Sequence, residues 1–551
     1  MNQVEPRTGL DAIDGADWRV RKIGGTAAGR LRQNADIAEQ GNQVLVISAI
    51  RGGKEFDEFR HPDVHDFDND GNEKKGFNTT SHLIEIGHIL SDPEADREEA
   101  MAKAIDITNR IRRVTKTIAG REVGSDDKIK NKAIAYAQLH GMIDYHVDNV
   151  FRAIRDAEPS DFVRIGKDWL VRKGDSYFSI TGMAEDMAAE VHNTYFRNRG
   201  LAPGLLENGD LADAVFELGP EAAQEQRKET LDAISSHTRD QLDELIGEGK
   251  NTIVSGGYRP GVGWERGYTE TTALITSVVM KEMGNRVVCV IEGDFAIHSG
   301  DPNKLKRTQV ILNLTYDAAM ELFDFNAGAN SGAVQAPSLE IGARNDIDIV
   351  VCDPRSDDLA NNSTLISNDP AAPNGIEITE SKTIPTMLLI SSEEMLGAGF
   401  FYTVTEWFAF RGVSIDHIPT SAKTMTITFT NQVLDTDYVT DFTGMLADFE
   451  THMHSEYESI NSITRHDEQT LIYCIGNNMT GIGAHARASI ALAISGTPLN
   501  ISSVSLADTT MVFGVDTINA PRAMQLIHDM GIVDRDMGLL EVHQKYAPTP
   551  V

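Results

Sequence analysis

Lys22-Ile23-Gly24-Gly25-Thr26 puts a lysine near the end of an apolar stretch and two glycines directly after it. Glycines let backbone N–H groups approach phosphate oxygens, and a lysine at a strand end can reach the β- and γ-phosphates of a nucleotide. The lysine precedes the glycines, so this is not the Walker pattern, and a Gly-Gly turn taken alone is equally a plain reversal of the chain. A second stretch, Gly256-Gly257-Tyr258 and then Glu265-Arg266-Gly267-Tyr268-Thr269-Glu270-Thr271-Thr272, delivers an arginine into a helix expected from Thr269. A guanidinium so placed is suited to grip a carboxylate through two parallel hydrogen bonds. The plainer alternative is a capped helix with a solvent-facing arginine.

Two further constellations are weaker. Asp66-Phe67-Asp68-Asn69-Asp70-Gly71 copies the start of a calcium loop, but Phe77 stands at the twelfth position, where a bidentate glutamate belongs. An acidic solvated loop is expected there instead. His452 and His454 lie two apart with no third ligand in view, which reads as a surface feature, and no resident metal site is expected. The three cysteines, Cys289, Cys352 and Cys474, are scattered among apolar runs and read as reduced core residues.

The elements that must position these residues follow from periodicity. Trp18 to Ile23 and Val44 to Ile47 read as strands on either side of a glycine turn and a helix, the opening of an α/β domain with a largely parallel sheet. Glu55 to Thr80 is aspartate-rich and reads as a loop, and residues 81–158 carry helical spacing, as in Ala135, Leu139, Met142 and Ile143. A helix is expected from Thr181 to Arg199, with strands at 252–254, 287–291 and 347–352 and helices from about Thr269 and Thr315. Residues 1–367 therefore read as one α/β domain with a helical lobe, and 368–380 as a linker. Residues 381–551 spell β-α-β-β twice, a paired small-molecule-binding module.

At 551 residues the chain is too long for a single core, and its 41% hydrophobic content suits folded domains. The count of 83 Asp plus Glu against 50 Lys plus Arg gives a formal charge of −33, which repels polyanions and argues against nucleic acid as a partner. No apolar run reaches the ~20 residues that span a bilayer, so no membrane partner is expected. The polar start of the chain lacks a secretory layout, which makes the cytoplasm the expected location.

Taken together, the motifs resemble the aspartate kinases of the amino-acid kinase family. That family opens on Lys-Phe-Gly-Gly-Thr, here Lys22 to Thr26, and has a strand ending in Ser-Ala, here Ser48-Ala49. Its Gly-Arg-Gly-Gly-Ser-Asp turn resembles Glu265 to Glu270, and its Thr-x-Asp-Pro step resembles Ser299-Gly300-Asp301-Pro302. Its domain close resembles Asn362-Ser363-Thr364-Leu365. Its paired regulatory ACT domains resemble Met395 to Phe400, Ser414 to Ser421 and Ile475 to Met479.

The resemblance implies an amino-acid kinase fold, a parallel-rich sheet between helices, followed by two ferredoxin-like ACT domains. It implies ATP with Mg²⁺ as cofactors and transfer of a phosphoryl group to the side-chain carboxylate of L-aspartate. By it, Lys22 and Glu270 are catalytic, and Ser48, Glu185 and Arg266 hold the amino acid. Gly24, Gly25, Asp294, Asp301 and Lys306 bind the nucleotide, and Met395, Asp416, Thr420 and Ser421 bind an effector such as lysine or threonine. A homodimer or higher homo-oligomer is implied as well. Tyr268 and Glu270 resemble the aspartate kinases of ectoine synthesis. Asn330 stands where the family carries the lysine of Gly-Ala-Lys, and the His-Pro that follows is absent. Two other readings stay open: a catalytically silent amino-acid sensor, and a kinase for a different amino acid.

Lys304, Arg307 and Lys306 are the candidate substitutes for the missing lysine, and Lys306 is the first to test. Replacing it, Lys306→Ala, is expected to raise the KM for ATP about tenfold, the loss of one charge-assisted contact. Unchanged nucleotide binding and turnover would remove it from the site.

Overall fold

The computed structural model describes residues 7–52, 60, 77–155, 157–165, 168–173, 176–180, 182–207, 227–257, 268–293, 296–325, 334–368, 375–384, 386–396, 399–411, 413, 415–429, 442–477, 479, 482–504 and 509–546. The chain packs as two units, residues 1–297 with 329–369 and residues 298–328 with 370–551.

Among the described residues of the first unit, seven strands share one sheet: β1 (Trp18–Ile23), β2 (Gln43–Ile47), β3 (Gly204–Leu206), β4 (Thr252–Gly256), β5 (Val287–Glu292), β6 (Asp348–Cys352) and β7 (Ser363–Ser367). Their order is β7-β6-β5-β1-β2-β4-β3. All neighbours are parallel except β6 and β7. Strands covered on both faces read as continuous apolar runs, and Val44 to Ile47 are all buried. The expected helical lobe is α1 (Thr79–Ser91), α2 (Arg97–Ser125) and α3 (Lys132–Arg155). Ala135, Leu139 and Ile143 face its core, with Met142 packed at the rim. The first of these helices starts at Thr79 rather than Ser81, because the Asn78 side chain accepts the Thr80 and Ser81 N–H groups and caps it. Most of the expected acidic loop, including Asp66 to Gly71, lies outside the described residues.

A three-stranded antiparallel meander over Phe162–Ile165, Asp168–Lys173 and Ser176–Ser179 leads into α4 (Met183–Asn198). That helix ends at Gly200, whose φ of +91° favours glycine. The remaining helix that matters to the site is α5 (Tyr268–Glu282).

The second unit holds two antiparallel sheets. In one module, β9 (Met387–Ser392) pairs with β10 (Thr424–Thr428) and β11 (Ile460–His466), with helices Phe400–Ala409 and Phe442–Glu456 on one face. Bridges Ile415↔Phe429 and Thr420↔Met425 add an edge segment, which completes a β-α-β-β-α-β order. Trp407, Phe408, Phe429 and Phe449 form its aromatic core. The other module has the order β8-β12-β14-β13: Gly375–Ile384, Gln469–Asn477, Thr510–Asp516 and Ile501–Val504. Its outer strand β8 comes from ahead of the first module, so one module is nested within the other. Residues 375–380, expected as linker, belong to this ten-residue strand. Residues 298–328, expected within the kinase domain, pack in the second unit. Leu305 enters the core there, Thr379 N–H donates to the Ser299 carbonyl at 3.0 Å, and Ser299 Oγ lies 2.9 Å from His528 Nε2.

Among the described residues, no helix is long and apolar enough to cross a membrane.

One buried carboxyl gives this unit a pH signature. Glu377 on β8 is 2% exposed, accepts from Asn477 Nδ2 at 3.1 Å, and is pushed by burial from 4.5 up to about 8. A carboxyl raised on folding favours the protonated folded state, so its contribution is fully present below about pH 4.5 and is lost as pH rises through about 8. Glu377→Gln should therefore flatten the decline of the thermal midpoint between pH 5 and 8.5, a window costing up to about 1.4 kcal/mol per pH unit. Parallel decline in the wild type and the variant would refute that assignment.

Candidate active site

The parallel register brings four strand ends to one edge of the sheet. Ile23 on β1 stands opposite Ile47 on β2 and Glu292 on β5, and Ile47 stands opposite Gly256 on β4. The ladder runs one step further: Ser48 N–H donates to the Ile23 carbonyl at 3.0 Å and Gly257 N–H to the Ile47 carbonyl at 2.9 Å. Gly24, Ser48, Gly257 and Gly293 thus leave the sheet side by side. From β1 the chain order runs outward in both directions, and ligands of open α/β sheets bind at such a switch point, beyond the carboxyl ends of the strands.

Two clusters of side chains meet at this edge. In the first, Lys22 Nζ lies 2.7 Å from Glu270 Oε1, with the two side chains only 15% and 13% exposed. A Cβ at Gly24 would stand 3.7 Å from that ammonium, so the cation hangs over the glycine turn. In the second, the Ser48 and Thr269 hydroxyls both donate to Glu185 Oε1, at 3.4 and 3.2 Å. Glu185 comes from the first turn of α4, whose Met183, Ala184, Met187 and Ala188 are buried and fix its pitch. Gly257 is required by close approach, since a Cβ there would fall 2.6 Å from Thr269 Oγ1 and 2.8 Å from Glu185 Oε2. Thr272 Oγ1 clamps the same turn by donating to the Gly257 carbonyl at 2.6 Å.

Helix α5 joins the clusters. Its consecutive residues Thr269 and Glu270 serve Glu185 and Lys22 respectively, so a carboxylate with two hydroxyl donors and an ammonium paired to a carboxylate stand at adjoining positions. Such an edge can receive an anion at Lys22 and an ammonium at Glu185. Thr269 and Gly257 carry no assigned role in the sequence reading, although both lie inside the motifs quoted there. A threonine directly before the expected helical carboxylate was the available signal for the first.

The other expected residues fall elsewhere. Arg266 and Asp294 lie outside the described residues, as does Asn330. Gly25 opens the short Gly25–Ala28 helix after the turn. Asp301 and Lys306 belong to the second unit. The Asp301 side chain accepts the Asn303 N–H at 2.8 Å, and the Lys306 N–H donates to Gln525 Oε1 at 2.9 Å.

Of the expected effector residues, Met395, Thr420 and Ser421 lie at one end of the nested module: Leu396 N–H donates to the Ala422 carbonyl at 2.8 Å and Ser421 Oγ lies 2.7 Å from Thr424 Oγ1. Met395 is 73% exposed. Asp416 sits beside the opposite end of β10, its N–H donating to the Thr428 carbonyl at 2.9 Å and its Oδ2 accepting from Tyr473 Oη at 3.3 Å.

No protein-family model matches the chain. No curated protein matches it in sequence. Solved structures match in fold. Aspartokinase III of E. coli, in complex with lysine and aspartate, aligns with a TM-score of 0.60 at 16% identity, covering 94% of this chain and 99% of that one. The same enzyme with aspartate and ADP gives 0.58 at 16% identity, over 93% and 99%. The aspartate kinase of Clostridium acetobutylicum gives 0.61 at 13% identity, over 93% and 100%. The chain therefore has the aspartokinase fold along nearly its whole length.

All three cysteines are buried and unbridged. Cys289 lies on β5 near the Lys22–Glu270 pair, and burial pushes its thiol up to about 12, as it does that of Cys352. Burial likewise raises Cys474. Thiolate is the reactive form, so thiol titration of the native protein at pH 8 should find fewer than one reactive group and denaturation should release all three. A fast-reacting thiol in the native protein would contradict this packing.

Proposed function

We propose that the protein is an aspartate kinase that transfers the γ-phosphoryl group of ATP to the side-chain carboxylate of L-aspartate, giving 4-phospho-L-aspartate and ADP. The observation that carries the reading is the pairing of Lys22 over the Gly24 turn with the Glu185–Ser48–Thr269 cluster, one helical residue apart at the carboxyl edge of the sheet. The aspartate and ADP held by the E. coli enzyme of the same fold support the choice of substrates.

In this reading Glu185 takes the α-ammonium of aspartate, with Ser48 and Thr269 fixing the carboxylate, and Arg266 grips the α-carboxylate. The side-chain carboxylate (ordinary pKa near ~3.9) is already ionised, so no general base is needed. One of its oxygens attacks the γ-phosphorus as the bond to the ADP oxygen breaks. Lys22 exchanges Glu270 for the phosphate and neutralises the charge that builds there. Mg²⁺ carried in on the nucleotide phosphates would supply further neutralisation, with Glu270, once released by Lys22, as a carboxylate that would hold it. Gly24, Gly25 and Asp294 complete the nucleotide contacts. Lysine or threonine is the effector class at Met395, Asp416, Thr420 and Ser421, and the modules pair between subunits of a homo-oligomer.

Hydroxylamine trapping of the acyl phosphate tests the whole reading. Turnover with ATP and aspartate is expected, and Lys22→Ala should lower kcat by about 10²–10³ with aspartate binding retained. Turnover only with another amino acid would reassign the substrate. No trapped product with any amino acid, alongside lysine or threonine binding, would make the protein a silent sensor.

A further inference from the structure

On the face of the sheet opposite Lys22 lies a charged pair that the reaction does not use. Arg21 precedes Lys22 on β1, so its side chain points the other way. There its Nη1 lies 3.1 Å from Glu292 Oε1, and its Nε donates to Gln43 Oε1 at 2.9 Å. The Arg21 and Glu292 side chains are 8% and 1% exposed. One guanidinium thus spans three adjacent strands, β2, β1 and β5. Val288, Val290, Val350 and Cys352 lie on this face of β5 and β6, with Asp348 opposite Val288 and Asp353 within electrostatic reach of Glu292.

Stability does not account for such a pair. Buried ion pairs replaced by apolar residues of similar size generally leave a protein as stable or more so. This one is also incompletely satisfied, since Glu292 Oε2 and Gln43 Nε2 are buried and without hydrogen-bond partners among the described residues. Burial pushes the Glu292 carboxyl up, and Arg21 opposes the shift.

What distinguishes the pair is its place. Glu292 is the last residue of β5 and stands opposite Ile23. Its backbone carbonyl oxygen would lie 3.7 Å from a Cβ at Gly24, the same distance as Lys22 Nζ. The end of β5 and the Lys22 ammonium therefore both approach the glycine turn. We propose that Arg21 and Glu292 are positioning residues, an ion pair that locks the end of β5 to β1 and so sets the Gly24 turn and the Lys22 ammonium for nucleotide phosphate. This rests on the reading of Lys22 as the phosphate-binding lysine. It predicts that the pair governs nucleotide affinity and leaves the amino-acid subsite, built on β2, α4 and α5, unaffected.

The test compares Glu292→Gln and the double replacement Arg21→Met with Glu292→Leu in the full-length protein. Thermal midpoint, affinity for Mg·ADP and affinity for aspartate are each measured by calorimetry. Glu292→Gln is expected to lower the midpoint, because it strands the Arg21 charge. The double variant should regain the midpoint yet bind Mg·ADP at least tenfold more weakly, with aspartate affinity changed less than twofold. Should the double variant fail to fold, Glu292→Asp keeps the charge and shortens its reach, and weaker Mg·ADP binding at an unchanged aspartate affinity is expected. Wild-type Mg·ADP affinity in the folded double variant, or in Glu292→Asp where that variant stands in for it, overturns the proposal, as does equal loss of both ligands. A wild type that binds Mg·ADP but forms no acyl phosphate sinks the kinase reading and leaves this comparison standing. A wild type that binds no Mg·ADP overturns the positioning role itself.

Discussion

On the function proposed above, the ammonium that is to meet a phosphate cannot simply be left in a partly buried pocket; it needs a counter-charge that it can give up. Lys22 has one in Glu270, at 2.7 Å and largely shielded from water. Shielding strengthens the attraction, and a partner on a separate element lets the cation change hands without moving its own backbone. The rest of the first unit serves this arrangement. The strand register delivers Lys22 and the glycine turn, α5 delivers the carboxylate, and the residue before Glu270 joins the pair to Glu185. An edge holding both signs of charge so close together is fitted to a zwitterion next to a polyanion.

The parts of the fold that could be read from sequence are those whose burial is local in character. β2, β4, β5 and β6 are covered on both faces and announce themselves as unbroken apolar runs. The helical lobe is legible because Ala135, Leu139 and Ile143 repeat at helical spacing. β8 was not legible. Gly-Ile-Glu-Ile-Thr-Glu-Ser-Lys-Thr-Ile alternates too many polar residues to stand out, and it is a strand only because β12, far along the chain, pairs with it. The excursion of residues 298–328 was hidden for the same reason, since Leu305 is one apolar residue in a polar stretch and its core partners lie beyond residue 370. Within the site, Lys22, Ser48, Glu185 and Glu270 were each singled out beforehand, and the structure brings them together. Thr269 and Gly257 were within the quoted motifs, but their contact depends on how α5 lands against β4. Arg21 and Glu292 are 271 positions apart, and nothing short of the register pairs them.

Nesting one module within the other has a mechanical consequence for the second unit. The sheet β8-β12-β14-β13 closes only when chain from both sides of the inserted module has been brought together. Its outer strand carries Glu377, whose carboxyl is buried against Asn477. Asn477 in turn accepts from Thr315 Oγ1 at 3.0 Å, and Glu321 accepts from Thr510 Oγ1 at 3.0 Å. The excursion 298–328 is therefore fastened to this sheet at several points, by polar contacts as well as by Leu305. The Tyr473–Asp416 contact ties the inserted module to the central strand of the same sheet. A shift of one element is felt by the others because each is bonded to β12 or its neighbours.

A formal charge of −33 and the proposed site for a polyanion look contradictory until distance and exposure are separated. Exposed carboxylates act through water, where screening limits their reach to ~10 Å at 0.1 M salt and ~3 Å at 1 M. The charges that face the strand ends are few, close and shielded, so their mutual energies are set by local geometry rather than by the surface sum. Lys22 is balanced by Glu270, and Arg21 by Glu292 on the far side of the sheet. Each cation is thereby neutral toward its surroundings until a ligand competes for it. On the proposed function, a surface this acidic can coexist with phosphate binding because the binding energy would be released by exchange within a shielded pair, where bulk charge and bulk salt have little purchase.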